Sequence, residues 1–215
     1  MAADGASTWA GLADAAGQLD TAGLLALAAA LGWASGLRLY AVVFLTGLAG
    51  TLDWIALPTG LQVLQHPVLL VASGVLLVVE FLADKIPLVD SAWDLLNSVL
   101  RVPAGAALAA GVFGADSTTM ATLAALLGGS LAATSQLAKT STRAAINTSP
   151  EPVTNIGASL LEDGLVVAAL WLATQHPWVF AALLAVAVLL MWAVTAWLFR
   201  FLRALWRRLS SRVVA

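Results

Sequence analysis

The sequence predicts an all-α integral membrane bundle of about seven transmembrane segments, with six as the alternative, and three observations carry that prediction. Of 215 residues, 61% are hydrophobic and 10% are Asp, Glu, Lys or Arg, with a mean hydropathy of +0.93. Soluble domains carry about a quarter charged residues, so a chain this apolar could not cover its surface in water. The apolar residues gather near 21–35, 37–52, 67–84, 91–114, 118–142, 153–175 and 178–200. Several of these runs approach the roughly 20 residues that a span needs. Charge is also uneven along the chain. Asp4, Asp14 and Asp20 stand in a Lys/Arg-free N-terminal stretch, whereas Arg200, Arg203, Arg207, Arg208 and Arg212 crowd the other end. Basic ends stay cytoplasmic, against anionic lipids, which places the C-terminus inside and the N-terminus outside the cell (inner) membrane. These arginines directly continue an apolar span, which argues against nucleic acid as their partner.

Taken in order, residues 1–20 are an acidic lead-in, 21–200 a single transmembrane domain and 201–215 a basic cytoplasmic tail. Runs 21–35 and 37–52 are short and meet at Ala34-Ser35-Gly36-Leu37-Arg38, where Ser and Gly can break a helix. They are either two short spans joined by an elbow or one broken helix. His66-Pro67 and His176-Pro177 each open an apolar run, with Pro suited to a first helical turn, so the two His residues are expected at caps. Arg38 and Arg143 precede these pairs by 28 and 33 residues. This suggests a weak parallel 3+1+3 repeat with broken or re-entrant helices, halves 21–84 and 118–200 being joined by 91–114. Seven segments place Arg38, Lys85, Lys139 and Arg143 at cytoplasmic ends, with Asp53 and Asp116 outside. Ala106, Ala110 and Gly114, and likewise Ala125, Gly129 and Ala133, form small-residue faces for close packing in lipid. Trp54, Trp171, Trp178, Trp197 and Trp206 fall near span ends, where indoles favour the interface.

Most of the remaining charge lies in two constellations. Lys139, Arg143 and Asn147 are spaced i, i+4, i+8, one helix face. After the turn through Pro150, Glu151 and Pro152, residues Asn155, Ser159 and Glu162 form a second polar face with Asp163 adjacent. A tight turn should set the basic stripe against the acidic one. The second constellation holds Glu80, Asp84 and Lys85, ended by Pro87, then Asp90, Asp94, Asn97 and Arg101 at helical spacing. Charge at membrane depth is expensive and commonly marks a substrate or proton path. The plain alternatives are an ion-pair network that fixes helix register and, for Asp90 and Asp94, a solvated turn.

These same words resemble a bacterial membrane family catalogued as domain of unknown function 4126. The matching residues are Ser35-Gly36-Leu37-Arg38 with Tyr40, Glu80-Phe81, Ala83 to Pro87 and Asp90-Ser91. The most specific word is Lys139, Thr142 to Ala145, Asn147 to Pro152, Asn155, Ser159 and Glu162-Asp163. The resemblance covers about residues 22 to 200. It implies a polytopic membrane protein and no established activity.

Function therefore rests on the residues. The leading expectation is a small permease for an anionic or anionic-headgroup substrate, coupled to protons. Arg38, Lys139, Arg143, Asn147, Glu151, Asn155 and Ser159 would contact the substrate. Glu80, Asp84, Lys85, Asp90, Glu162 and Asp163 would form a proton or ion path. The alternatives are a cation transporter or channel using those carboxylates as oxygen ligands, and a non-transporting membrane scaffold. Cysteine is absent, which removes disulfides, thiolate metal sites and a thiol nucleophile. With no phosphate loop, nucleophile elbow or paired helical His, no enzyme, cofactor or resident metal is expected.

Overall fold

In the computed structural model, residues 19–86, 88–114, 117–148 and 152–213 are described, with side chains through 203 except at 152 and 202. The lead-in before residue 19, Glu151, and the side chains of the basic tail beyond 203 lie outside that set. The elements are α1 (Thr21–Thr51), a 3-10 helix (Thr59–Gln65), α2 (Pro67–Ala83), α3 (Val89–Phe113), α4 (Thr118–Ile146), α5 (Pro152–Gln175) and α6 (Pro177–Val213). Local chemistry sets their ends. The Asp20 carboxylate accepts from Gly23 N at 2.7 Å and starts α1. Ser117 Oγ does the same for α4 through Met120 N. His66 Nδ1 accepts from Val68 N with Pro67 in the first turn, so His66 is the expected cap. His176 sits edge-on to Trp171 just before α6.

The two short N-terminal runs form one 31-residue element, α1, which breaks at Arg38, where φ is −147° and ψ is 84°. Packing shows what the break does. Leu19 and Leu24 line the same cavity as Ala56 to Thr59, residues that follow the opposite end of α1. Leu27 likewise shares a cavity wall with Leu45, Thr46 and Ala49. A straight helix would hold Leu27 and Ala49 about 33 Å apart, at 1.5 Å per residue. The arms 21–37 and 39–51 therefore run back along one another, with Arg38 at the turning point. This is the elbow that Ser35 and Gly36 suggested.

From there the segments alternate in direction. One end of the bundle collects the Arg38 turn, the α2–α3 junction, the α4–α5 turn and the C-terminal part of α6. The other collects residues 52–66, Gly114, Ser117 and the α5–α6 link. Among the described residues, α3 to α6 are each long and apolar enough to cross a membrane alone, and α1 reaches that length only if its two arms are counted end to end. The 17-residue α2 adds a sixth candidate as a pair with the 3-10 helix, bent by 69°. The internal repeat does not appear as two equal halves. Arg38 is followed by the short arm 39–51 and a 3-10 helix, whereas Arg143 is followed by a turn and the 24-residue α5.

The core forms around α1, whose most apolar stretch is 83% buried against 6% for that of α6. Close approach of α1, α3 and α4 depends on glycine. A Cβ on Gly32 would land on the backbone of Gly128, and one on Gly36 on Ser135 and Ala132. The buried face of α4 is Ala124, Gly128, Ala132 and Ser135. That lies one residue earlier than the Ala125-Gly129-Ala133 spacing suggested; Gly129 still touches Ala106 at the flank. Both rows are small, and the wider demand for contact with α1 and α3 together selects the first.

The reversal at Arg38 is testable because the chain has no native cysteine. Single cysteines replacing Thr21 and Leu52 should react with an impermeant maleimide from the same side of the membrane, and one replacing Thr148 from the opposite side. Labelling of Thr21→Cys and Leu52→Cys from opposite sides would show α1 to be a straight span.

Candidate functional site

Every Lys and Arg before Arg200 meets at the end of the bundle where α1 turns: Arg38, Lys85, Arg101, Lys139 and Arg143. Six carboxylates join them: Glu80, Asp84, Asp90, Asp94, Glu162 and Asp163. Most of these residues are almost fully buried, which an apolar bundle tolerates only with pairing.

At the centre, Lys139 Nζ lies 3.1 Å from Asp84 Oδ2, 3.1 Å from Asp94 Oδ1 and 3.2 Å from Glu162 Oε2. It also donates to the Leu37 carbonyl at 3.1 Å, where the first arm of α1 ends. The break matters here, because a carbonyl inside a continuous helix would already serve the residue four positions on. Arg38 reaches the other way. Its Nε is 2.8 Å from Asp163 Oδ1, its Nη2 is 3.1 Å from Asp84 Oδ2, and Nη2 donates to Ser159 Oγ at 2.7 Å.

Arg143, on the face of Lys139 one turn later, donates to both Glu162 oxygens at 3.3 Å, to Asn155 Oδ1 at 3.1 Å and to the Asp84 carbonyl. The basic stripe of α4 and the acidic stripe of α5 thus face each other as their spacing predicted. Asn147 donates to Asp90 and to Ser91 Oγ, and accepts from Asn155 Nδ2, tying the α2–α3 junction to the α4–α5 turn. Glu80 and Asp84 share a face of α2, again as predicted. Both join the same network: Glu80 Oε1 is 2.7 Å from Arg101 Nη2. The stripe Asp90, Asp94, Asn97 and Arg101 points inward throughout, so it is no solvated turn. Lys85 stands apart, half-exposed, donating to the Phe81 carbonyl and lying 3.4 Å from Ser159 Oγ. Burial holds its ammonium below the usual lysine range, opposed by nearby Asp163.

Residues assigned by sequence to two separate roles are therefore one network, and several partners were missed. Arg101 extends back two turns to Asp94 and also takes Gln136 Oε1 at 2.9 Å. Tyr40 donates to Asn97 at 2.7 Å, and Ser135 to the Trp33 carbonyl near the break. Gln136 extends the Lys139-Arg143 stripe by one turn, a signal that was available. Ser135 carried none, and Tyr40 stood out only through the family resemblance, because their partners lie far away in sequence.

Some buried atoms make no hydrogen bond: Arg38 Nη1, Arg101 Nε and Arg143 Nε among donors, Glu80 Oε2, Asp84 Oδ1 and Asp94 Oδ2 among acceptors. Leaving such atoms unpaired costs about 1–3 kcal/mol each, more when charged. The network is dense without being saturated. Cavities of about 600, 520 and 370 Å³ elsewhere in the bundle have none of these charged residues in their walls. Among the described residues, no three His, Asp or Glu side chains are arranged to hold a metal ion.

Removing one member should unbalance the rest. Arg101→Met leaves Glu80 without an ion-pair partner and Asp94 with Lys139 alone, at a cost of about 3–5 kcal/mol. Adding Glu80→Gln should recover part of that. The midpoint of thermal unfolding in detergent reads both, and an unchanged midpoint for Arg101→Met would contradict the pairing.

No curated protein and no solved structure matches this chain. A family model does: the one described as "Domain of unknown function (DUF4126)" matches residues 25–197, a span that takes in every residue of the charged network. The chain belongs to the DUF4126 family.

Proposed function

We propose that this membrane-spanning helical protein is a small permease for an anionic or anionic-headgroup substrate, coupled to protons, with the charged network as its closed substrate site. The observation that carries the reading is the meeting of Arg38, Lys139 and Arg143 at a helix break, each held by carboxylates rather than by fixed apolar packing. A substrate anion can take the place of those carboxylates. Glu162 and Asp163 are the first candidates to leave, because their side chains keep 12% and 27% exposure while the cations are essentially sealed. A displaced carboxylate in an apolar interior takes up a proton, so the net charge of the site stays constant as an anion enters. The second arm of α1 begins beside Arg38, and its N-terminal amides favour negative charge. In this reading the site lies towards the cytoplasmic face of the inner membrane, beside the basic C-terminal helix.

Two other readings have an observation of their own. Six carboxylates against five cations leave an excess of negative charge that suits a cation carrier. The sealed state of the network suits a scaffold whose ion pairs only hold helices together.

Uptake of small anions and short-chain phosphorylated amphiphiles into proteoliposomes, with and without a pH gradient, separates the three. The permease reading expects gradient-dependent uptake that falls by at least about tenfold in Arg143→Gln, which loses a charge-assisted pair to the substrate. Normal uptake by Arg143→Gln would overturn this assignment of roles. Cation currents lost in Glu162→Gln would favour the carrier of cations. A chain that moves nothing, yet regains stability when a contacting ion pair is reversed, would be a scaffold.

A further inference from the structure

Lys85 is the cation of the network that the permease reading uses least. Among the described residues it is the one cation of the five with no carboxylate within 4.0 Å. Its ammonium sits on the Phe81 ring and bonds a carbonyl and a hydroxyl, both neutral. The hydroxyl, Ser159 Oγ, also receives Arg38 Nη2, and Arg38 Nη1 behind it is fully buried without any hydrogen-bond partner. An exposed amine and a buried guanidinium thus converge on one oxygen, and both have donors to spare.

The outer edge of the place is Lys85, half-exposed, with Ser159 and Arg38 buried behind it. Lys85, just past the end of α2, and Ser159 on α5 bridge two helices that share little direct packing. Val78 and Phe81 fall on one flank of α2, with Lys85 in the turn just past its end over the Phe81 ring; Ile156, Leu160, Asp163 and Val167 fall on one flank of α5. The apolar members of both flanks are exposed, from 38% at Phe81 and Ile156 to 57% at Val78. Each flank is therefore an apolar stripe with a charge set in it near the end of the bundle where α1 turns. That profile matches an amphiphile standing in the bilayer, with its headgroup at the bundle end and its chain along the helices.

We infer that the gap between α2 and α5 is a lateral binding site for the anionic phosphate headgroup of a membrane lipid. Lys85 is its outer cation, Ser159 and Arg38 its inner contacts, and the Val78 and Leu160 stripes hold its acyl chain. Asp163 borders the site and disfavours a free dianion, whereas a phosphodiester carries a single charge and brings apolar contact as compensation. Charge selects the lipid class, since an exposed lysine contributes to anionic-lipid binding and a zwitterionic headgroup offers it less. The inference deepens the permease reading by naming a route into its site, but binding requires no transport.

The test is retention of lipid by the full-length protein in nanodiscs, read by native mass spectrometry after transfer to detergent. Phosphatidylglycerol and phosphatidylcholine are offered at equal fractions, with inorganic phosphate as a separate competitor. The wild-type protein should retain phosphatidylglycerol, and Lys85→Gln should lose it by roughly five- to tenfold. Lys85→Arg keeps the charge and should retain the lipid, which guards against misreading a folding defect. Leu160→Gln, at an exposed position, should weaken retention while leaving Lys85 in place. Equal retention by Lys85→Gln, or no preference for phosphatidylglycerol, would overturn the site. Displacement by millimolar inorganic phosphate would make the occupant a free anion and overturn the lipid assignment. Lipid binding without uptake would refute the permease reading alone, and uptake without lipid binding would refute this one alone.

Discussion

The bonds of the Lys139 ammonium are the constraint on which the rest of this structure depends. A lone ammonium in an apolar bundle would be prohibitively costly, and neutralising it takes anions from several directions at once. Asp84 at the end of α2, Asp94 in α3 and Glu162 in α5 supply the charge, and the Leu37 carbonyl supplies a fourth contact. That last contact exists because α1 stops being helical at Arg38. The break, the reversal of the chain and the convergence of four elements are thus aspects of one charge-balance problem. Arg38, Arg101 and Arg143 solve the same problem around it, sharing Asp84, Asp94 and Glu162 with Lys139.

Much of this was legible in the sequence wherever the cause is local. Helical spacing placed Lys139 with Arg143, Asn155 with Glu162, and Glu80 with Asp84 on common faces, and the double-proline turn set the first two pairs opposite each other. His66-Pro67 announced a cap. What the sequence could not show is set by long-range geometry. Ser35 and Gly36 permit a break but do not fix the angle between the arms; the first arm lies against α4 at Gly128 and Ser135, about a hundred residues away, and the second against Leu57 and Leu64. Arg101 closed a helical stripe in the sequence, but its partners were not legible there, because its guanidinium serves Asp94 seven residues back and Glu80 on another helix. Two constellations far apart in sequence share one lysine in space.

The proposed permease role gives such a network a reason that ion pairing alone does not require. Buried ion pairs are commonly replaceable by apolar side chains of similar size at little cost in stability. Here five cations and six carboxylates are kept instead, with several buried donors and acceptors unpaired and the only sizeable exposure at Glu162, Asp163 and Lys85. A site that must exchange partners needs this kind of reserve. A broken helix adds to it, because arms joined at one non-helical residue can shift without unravelling either one.

The central claim is that the network opens. Ser159, fully buried between Arg38 and Lys85, is the position to watch, since a cysteine there is nearly isosteric. The decisive measurement is the rate at which Ser159→Cys reacts with an impermeant thiol reagent from the side of the C-terminus, at rest and under an imposed proton gradient. Protection at rest and fast labelling under the gradient are the predicted result. Equal protection in both conditions would leave a locked set of ion pairs and contradict the account.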